Sequence, residues 1–387
     1  MMVLAPPYSV AELRYKPRSW WRRKLTALAR TTATATMSSI STPLTHIFPF
    51  VRTPVVVAPM AGAGGGALIG AAASVGALAF VGAGYYTTEE LQKQLELACA
   101  KSPRVDGRLP FGVGLLVWRL GVPGNINTAL VDALLDARTS AVWLSFGERV
   151  PTAEWIKYIR ARDPEIRIFT TVNTVEEARV AAEEWNVDVL GIQGIEAGGH
   201  GLGSAPPRDA LLAAVINEAP KWKRIVPVIA AGGIADGRGV AAVLVQGAAG
   251  AALGTRFLVT PESLYTDAQK ALLVSAGPGD TLRSMAFDDA RGTTNWPAGI
   301  DGRGLMSPTV AEYEDAAARG AIDSEAEQRR NRYSALVTAG ETERMITWSG
   351  TGIGSITSVV PAGEIVSSIT AEAARLLVAG AQLVHQG

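Results

Sequence analysis

The amino-acid sequence predicts an α/β protein, a (β/α)8 TIM barrel with a C-terminal lobe covering the barrel mouth. Three observations carry this. From Pro54 onward, short β-branched or apolar runs alternate with helical stretches of roughly ten residues, the pattern of repeated βα units around a parallel sheet. Eight such runs can be counted before the rhythm breaks after Arg256. The 387 residues are 48% hydrophobic and only 19% charged, enough apolar material for one large packed core.

The runs begin at Pro54 (PVVVA), Ala77 (ALAFVG), Leu109 (LPFGVGL), Ala141 (AVWLSFG), Ile166 (IRIFTTV), Val187 (VDVLGIQG), Val226 (VPVIAAGG) and Gly250 (GAALGT). Between them lie TTEELQKQLELACA, TAEWIKYIRAR, TVEEARVAAEEW and DGRGVAAVLVQ, each opened by a Thr or Asp able to cap a first helical turn. A doubly wound open sheet produces the same alternation and is the alternative topology. Residues 277–304 read as a long loop rich in Gly, Asp and Arg, followed by helical segments, the glycine-rich WSGTGIGS and a last amphipathic helix. The expected organisation is a leader over 1–44, a barrel over 45–276, and over 277–387 a loop and helical lobe that completes and caps the barrel.

The leader carries seven basic residues up to Arg30 (Arg14, Lys16, Arg18, Arg22, Arg23, Lys24, Arg30) against one acid, Glu12, and is then dense in Ser and Thr. That composition suits an organelle transit peptide; equally, Met37 opens a plausible start just before the first strand. The expected location is cytoplasmic, or mitochondrial if the leader is translated. Lys and Arg total 36, as do Asp and Glu, so no global basic field draws in nucleic acid. No stretch offers the ~18 uninterrupted apolar residues of a bilayer span. The single cysteine, Cys99, cannot pair within the chain and reads as a helix thiol.

Barrel enzymes build their sites from loops at the carboxyl ends of strands and commonly hold a phosphate after strands seven and eight. The seventh run ends in AAGGIADG and the eighth in ALGTR, which places Gly232, Gly233, Gly254 and Thr255 at those turns. Residues without side chains let backbone N–H groups approach a phosphate, and an adjacent helix N-terminus adds a favourable dipole. The sixth run leads into QGIEAGGHG, one turn holding Gln193, Glu196, Gly198, Gly199 and His200. Of the three histidines, His46 lies in the leader region and His385 near the C-terminus, so His200 is the candidate catalytic residue. No HxH or HExxH spacing supports a metal, and no GxSxG or GxxxxGK[ST] motif supports acyl or nucleotide phosphoryl transfer. GAGGGALIG after the first run lacks the acidic partner of a dinucleotide fingerprint.

Taken together, APMAG, QGIEAGGHG, PVIAAGGIADGRG and GTRFLVTPES resemble the nitronate monooxygenase family, formerly called 2-nitropropane dioxygenases, from about Thr53 to the last helix. FDDARGTTNWPAGIDGRG is similar to the corresponding loop of fungal members. The resemblance implies FMN without consumption of NAD(P)H, and oxidation of alkyl nitronates or nitroalkanes by molecular oxygen to carbonyl compounds and nitrite. It implies that Ala58, Pro59 and Met60 lie along the flavin ring, that Gln193 and Gly198 contact the cofactor, and that Gly233, Gly254 and Thr255 hold its phosphate. His200 matches the family's proposed base. One position departs: Gly114 in FGVGLLVW stands where many members carry an Asn, removing a side-chain hydrogen bond near flavin or substrate. The alternatives are a related FMN barrel acting as an NAD(P)H-dependent enoyl-thioester reductase, and a phosphate-binding barrel without redox chemistry.

Overall fold

The computed structural model describes residues 39–125 and 127–384. The leader up to residue 38, the start at Met37 and His385 lie outside the described residues. The barrel strands are β1 (Val55–Val57), β2 (Leu78–Gly82), β3 (Leu109–Leu116), β4 (Thr139–Ser145), β5 (Arg167–Val172) and β6 (Val189–Gln193). After β7 (Gly199–Leu202), which lies outside the barrel, come β8 (Val228–Ala231) and β9 (Gly250–Leu253). All eight barrel pairings are parallel, and the ring closes where Val55 of β1 pairs with Ala251 and Val57 with Leu253 of β9. This is the expected TIM barrel, and each of the eight apolar runs overlaps its strand, with β4 starting two residues earlier and β3 ending one residue later than the runs. Strands of a parallel barrel are covered on both faces and so read as continuous apolar runs; β1, β2 and β4 are buried at every residue.

The barrel interior is filled by aromatic rings. Phe80 meets Trp143 edge-on at 5.1 Å and Phe169 at 5.1 Å. Space for Trp143 comes from Gly191 of the sixth strand, where a Cβ would lie 2.5 Å from the indole. The floor is plugged from below by the segment entering β1: Leu44, Phe48 and Val51 are buried against the same cluster. Leu44, itself buried, sits in a short helix, Pro43–Ile47, so the expected boundary between leader and barrel falls inside that helix.

Around the barrel run the helices Gly66–Ser74, Thr88–Lys101, Thr128–Asp136, Arg149–Arg162, Val175–Glu183, Arg208–Glu218 and Gly237–Val245. The eighth place is taken by the last helix, Ala362–Ala381, which packs between Gly237–Val245 and Gly66–Ser74. It is pinned by Thr53 and Thr370, whose hydroxyls meet at 2.6 Å, and by Glu372, which accepts from the Gly237 N–H at 2.8 Å. The lobe is therefore an insertion between β9 and the barrel's own final helix.

Two expectations for the connecting segments are corrected. Residues 277–304 are not a long loop: they hold β10 (Thr281–Ser284), the helix Ala286–Arg291 and the start of β11 (Ile300–Leu305). The QGIEAGGHG segment is not only a turn, because its second half is β7. These three strands form an antiparallel sheet in the order β10, β11, β7, with His200 opposite Gly302. TLRS, GHGL and IDGRGL carry too few β-branched residues to announce strands; pairing with one another, not propensity, makes them so. Arg283 holds this sheet, donating to the Gly201 and Asp301 carbonyls at 2.8 Å and pairing with the Asp301 carboxylate.

Candidate active site

At the carboxyl ends of the barrel strands lies a cavity enclosing about 1290 Å³, its open mouth included. Ala58, Pro59, Met60, Gln193, Gly198, His200, Gly232, Gly233, Gly254 and Thr255 all line it. The fold thus brings ten of the eleven expected residues to one place from the ends of β1, β6, β8 and β9 and from β7.

Gly114 is the exception. It is buried within β3 and absent from the cavity wall; a Cβ there would lie 2.2 Å from the Pro59 Cβ. The Ala58–Met60 turn crosses the end of β2 just as closely, since a Cβ on Gly82 would fall 2.5 Å from the Met60 carbonyl carbon. Glycine at 114 is what lets Pro59 pack down, so the position is one of close approach.

The glycine turns divide in character. Gly232 (φ 115°) and Gly233 (φ 66°) take left-handed conformations that other residues avoid. Gly254 has an ordinary φ of −106°, and a Cβ on it would meet nothing nearer than the Met60 sulfur at 3.7 Å. Bare backbone there faces open space, as a bound phosphate requires. In the helix after β8, expected to lend its dipole, two first-turn donors are already taken: Asp236 caps the Gly239 N–H at 3.0 Å and Glu372 takes the Gly237 N–H. The second wall comes instead from the lobe. Gly350 donates to the Thr255 hydroxyl at 3.0 Å and Thr351 to the Glu196 carbonyl at 3.0 Å. Gly198 is needed for this seam, since a Cβ there would fall 2.4 Å from the Gly350 nitrogen.

His200 is held from three sides. Its Nε2 lies 3.0 and 2.9 Å from the two carboxylate oxygens of Asp288, which is fully buried. Its ring stacks on Trp296 at 3.6 Å with an interplanar angle of 14°, and Trp348 lies tilted at 4.8 Å. Asp288 Oδ1 also accepts from the Thr293 hydroxyl at 2.8 Å and the Trp296 indole at 3.1 Å. A carboxylate only accepts, so Nε2 carries the proton of this contact and Nδ1 keeps the lone pair. The strand is fixed as well, because Gln193 donates from Nε2 to the His200 carbonyl at 3.1 Å. The Gln193 carbonyl in turn accepts from Asn173 at 2.8 Å.

Tyr85, Tyr265, Arg291, Trp296 and Trp348 also line the cavity. Burial pushes the Tyr265 phenol well above its ordinary range, and its oxygen accepts from the Trp348 N–H at 2.9 Å. Burial also raises Tyr85, against the opposing pull of the Arg291 and Arg119 charges. Desolvation lowers Arg303, which donates to the Ile195 carbonyl at 3.2 Å behind the histidine strand. Sequence reasoning passed over Asp288, Trp296, Trp348 and Gly350. Two signals were available: the DDARGTTNW loop packs acids and a Trp into a stretch without apolar rhythm, and WSGTG repeats the glycine chemistry of the strand ends.

Fold and site together define a barrel enzyme for a small molecule, with glycine turns and a carboxylate-held histidine lining a single cavity. The description Nitronate monooxygenase matches residues 41–372, and the chain belongs to this family of oxidoreductases. A nitronate monooxygenase npaC of Metarhizium robertsii is 35% identical over 286 residues, 70% of this chain and 78% of the relative. A nitronate monooxygenase of Neurospora crassa is 32% identical over 359 residues, 86% of this chain and 92% of the relative. Among solved structures, nitroalkane oxidase from Streptomyces ansochromogenes is similar with a TM-score of 0.68 and 27% identity, covering 87% of this chain and 99% of that one.

Proposed function

We propose that the protein oxidises alkyl nitronates, and the neutral nitroalkanes from which they derive, with FMN bound in the barrel mouth and molecular oxygen as oxidant, releasing a carbonyl compound and nitrite. The observation that carries this is a single cavity joining side-chain-free turns after β8 and β9 to the His200–Asp288 pair. Family membership and the relatives' names support the substrate class. The flavin fits the residues present: Gly254 leaves bare backbone for a phosphate, Gly233 and Thr255 stand beside it, and Ala58–Met60 offer a flat apolar turn for a ring. When bound, the flavin supplies the electron acceptor for the substrate carbon.

The chain's own residues do the rest. Nδ1 of His200 accepts the proton α to the nitro group, and Asp288 steadies the charge that the ring takes up. A nitronate has already lost that proton and needs the imidazole far less. Trp296 and Trp348 flank the imidazole and keep water from it. Arg291 lines the same cavity, lies 5.9 Å from the Trp348 ring and pairs with no carboxylate among the described residues, which suits an anionic substrate.

The test is a spectrum of the purified protein mixed anaerobically with propyl nitronate, followed by a nitrite assay in air. Bleaching of a flavin band and nitrite release are expected, with FMN as the sole flavin released by heat. A colourless protein that cannot be reconstituted with FMN defeats the reading. So does steady NAD(P)H oxidation with an enoyl-thioester and no nitrite from nitronates.

A further inference from the structure

A second cavity, enclosing about 1140 Å³ with its open mouth included, adjoins the first, and the two share Phe146 and Thr171 as wall. Its other walls are mixed, with an apolar side formed by Val117, Leu144, Val172, Leu202 and Ile300 and polar groups that include Glu148, Arg149, Glu176 and Glu177. Phe146 follows directly on β4, at the end of the barrel where substrate enters. Its φ is +56°, in the left-handed region that a bulky side chain rarely occupies. Among the described residues, three others with side chains share such a φ, Asp106, Arg138 and Asn186, and none of them lines either cavity. Strain of this kind persists where the surroundings enforce it, and it gathers at ligand clamps.

The ring is held edge-on against Trp296 at 5.4 Å and 85°. Trp296 lines the first cavity while the next residues, Pro297 and Ala298, line the second, so the Phe146–Trp296 pair forms the partition. Gly147 behind it has no slack, since a Cβ there would fall 2.3 Å from the Thr152 hydroxyl and 2.6 Å from the Val117 Cβ.

We propose that the second cavity is a tail pocket for the alkyl chain of long nitronates, and that Phe146 is the residue that limits its use. This rests on the reading that nitronates react beside His200. A nitro carbon at His200 directs its alkyl substituent either out of the open mouth or toward Phe146. The second route leads past the Phe146 ring to the apolar side of the second cavity, formed by Val117, Leu144, Val172, Leu202 and Ile300. Removing the ring joins the two spaces and gives a chain of six carbons room that a chain of two does not need. Each methylene buried in an apolar pocket then adds to the specificity ratio.

The experiment measures kcat/KM for a series from ethyl to hexyl nitronate, normalised to bound flavin, in the native protein, Phe146→Ala and Phe146→Leu. The hexyl-to-ethyl ratio is expected to rise about tenfold or more in Phe146→Ala and to change little in Phe146→Leu, which keeps most of the bulk. In the double variant Phe146→Ala with Ala298→Trp, the indole fills the far cavity from an exposed loop position, and the gain should vanish. Reading a ratio within each variant separates chain length from any general loss of turnover. A hexyl-to-ethyl ratio unchanged in Phe146→Ala overturns the tail pocket while leaving nitronate oxidation standing; no turnover of any nitronate by the native protein overturns both.

Discussion

At the scale of single residues, the proposed reaction turns on the histidine and its carboxylate. His200→Asn should lower turnover of a neutral nitroalkane by roughly a hundredfold, the usual worth of a positioned base, while nitronate turnover falls far less. Equal losses on both substrates with flavin retained would make His200 a positioning group instead. Asp288→Asn is the sharper variant, because an Asn can keep its oxygen toward Thr293 and Trp296 and turn its amide toward Nε2. The amide donates, Nδ1 then carries the ring proton, and the base is disabled without loss of shape. Nitroalkane turnover should drop as in His200→Asn, and nitrogen NMR of the ring should report the exchanged tautomer. A native tautomer together with native activity would contradict this role. The cradle is tested at Gly254, where ordinary φ and open space let a side chain in without strain. Gly254→Leu should fold as the native protein does and purify without flavin; full flavin occupancy would place the phosphate elsewhere.

At the scale of elements, the segments after β9 are tied together where Tyr265 receives the Trp348 N–H. The phenol is raised above its ordinary value of 10.0 by burial, so the folded state holds this proton more tightly than the unfolded chain does. Its contribution is fully present below pH 10 and is lost as pH climbs beyond it. Thermal melts of the native protein should therefore fall above about pH 10, and Tyr265→Phe should flatten that fall while costing ~1–2 kcal/mol at neutral pH through the unpaired Trp348 amide. An alkaline limb of equal steepness in both proteins would remove Tyr265 from the account. The floor plug is a second such element: Phe48 stacks on Phe169 at 6.0 Å and is almost fully buried. Phe48→Ala should cost ~3–5 kcal/mol in denaturant melts, the range for deleting a buried ring.

For the whole molecule, the balance of 36 basic against 36 acidic residues leaves no net field to gather an anionic substrate. Attraction then rests on local charge, and Arg291 is the cation on the cavity wall that lacks a carboxylate partner among the described residues. Arg291→Met should raise KM for nitronates several-fold, more at low than at high ionic strength, because its head group is exposed and screened. KM for neutral nitroalkanes should hardly move, and equal shifts for both would assign Arg291 to packing on Trp348.

What the sequence determined by itself was the barrel and the part of the site built on it. Buried parallel strands must be apolar throughout, so eight runs were legible one by one. Glycine turns follow strand ends at known places, so Gly232, Gly233, Gly254 and Thr255 could be read before any coordinate. Tertiary structure decided the rest. The β7–β11–β10 sheet exists because three weak segments find one another across about a hundred residues, and no local pattern announces such pairing. The same pairing carries His200 to Asp288, 88 residues apart in the chain, and stacks it on Trp296. The packing role of Gly114 was not legible for the related reason that a glycine's meaning lies in what packs against it, here Pro59, and that neighbour is fixed only when β1 and β3 close into one barrel.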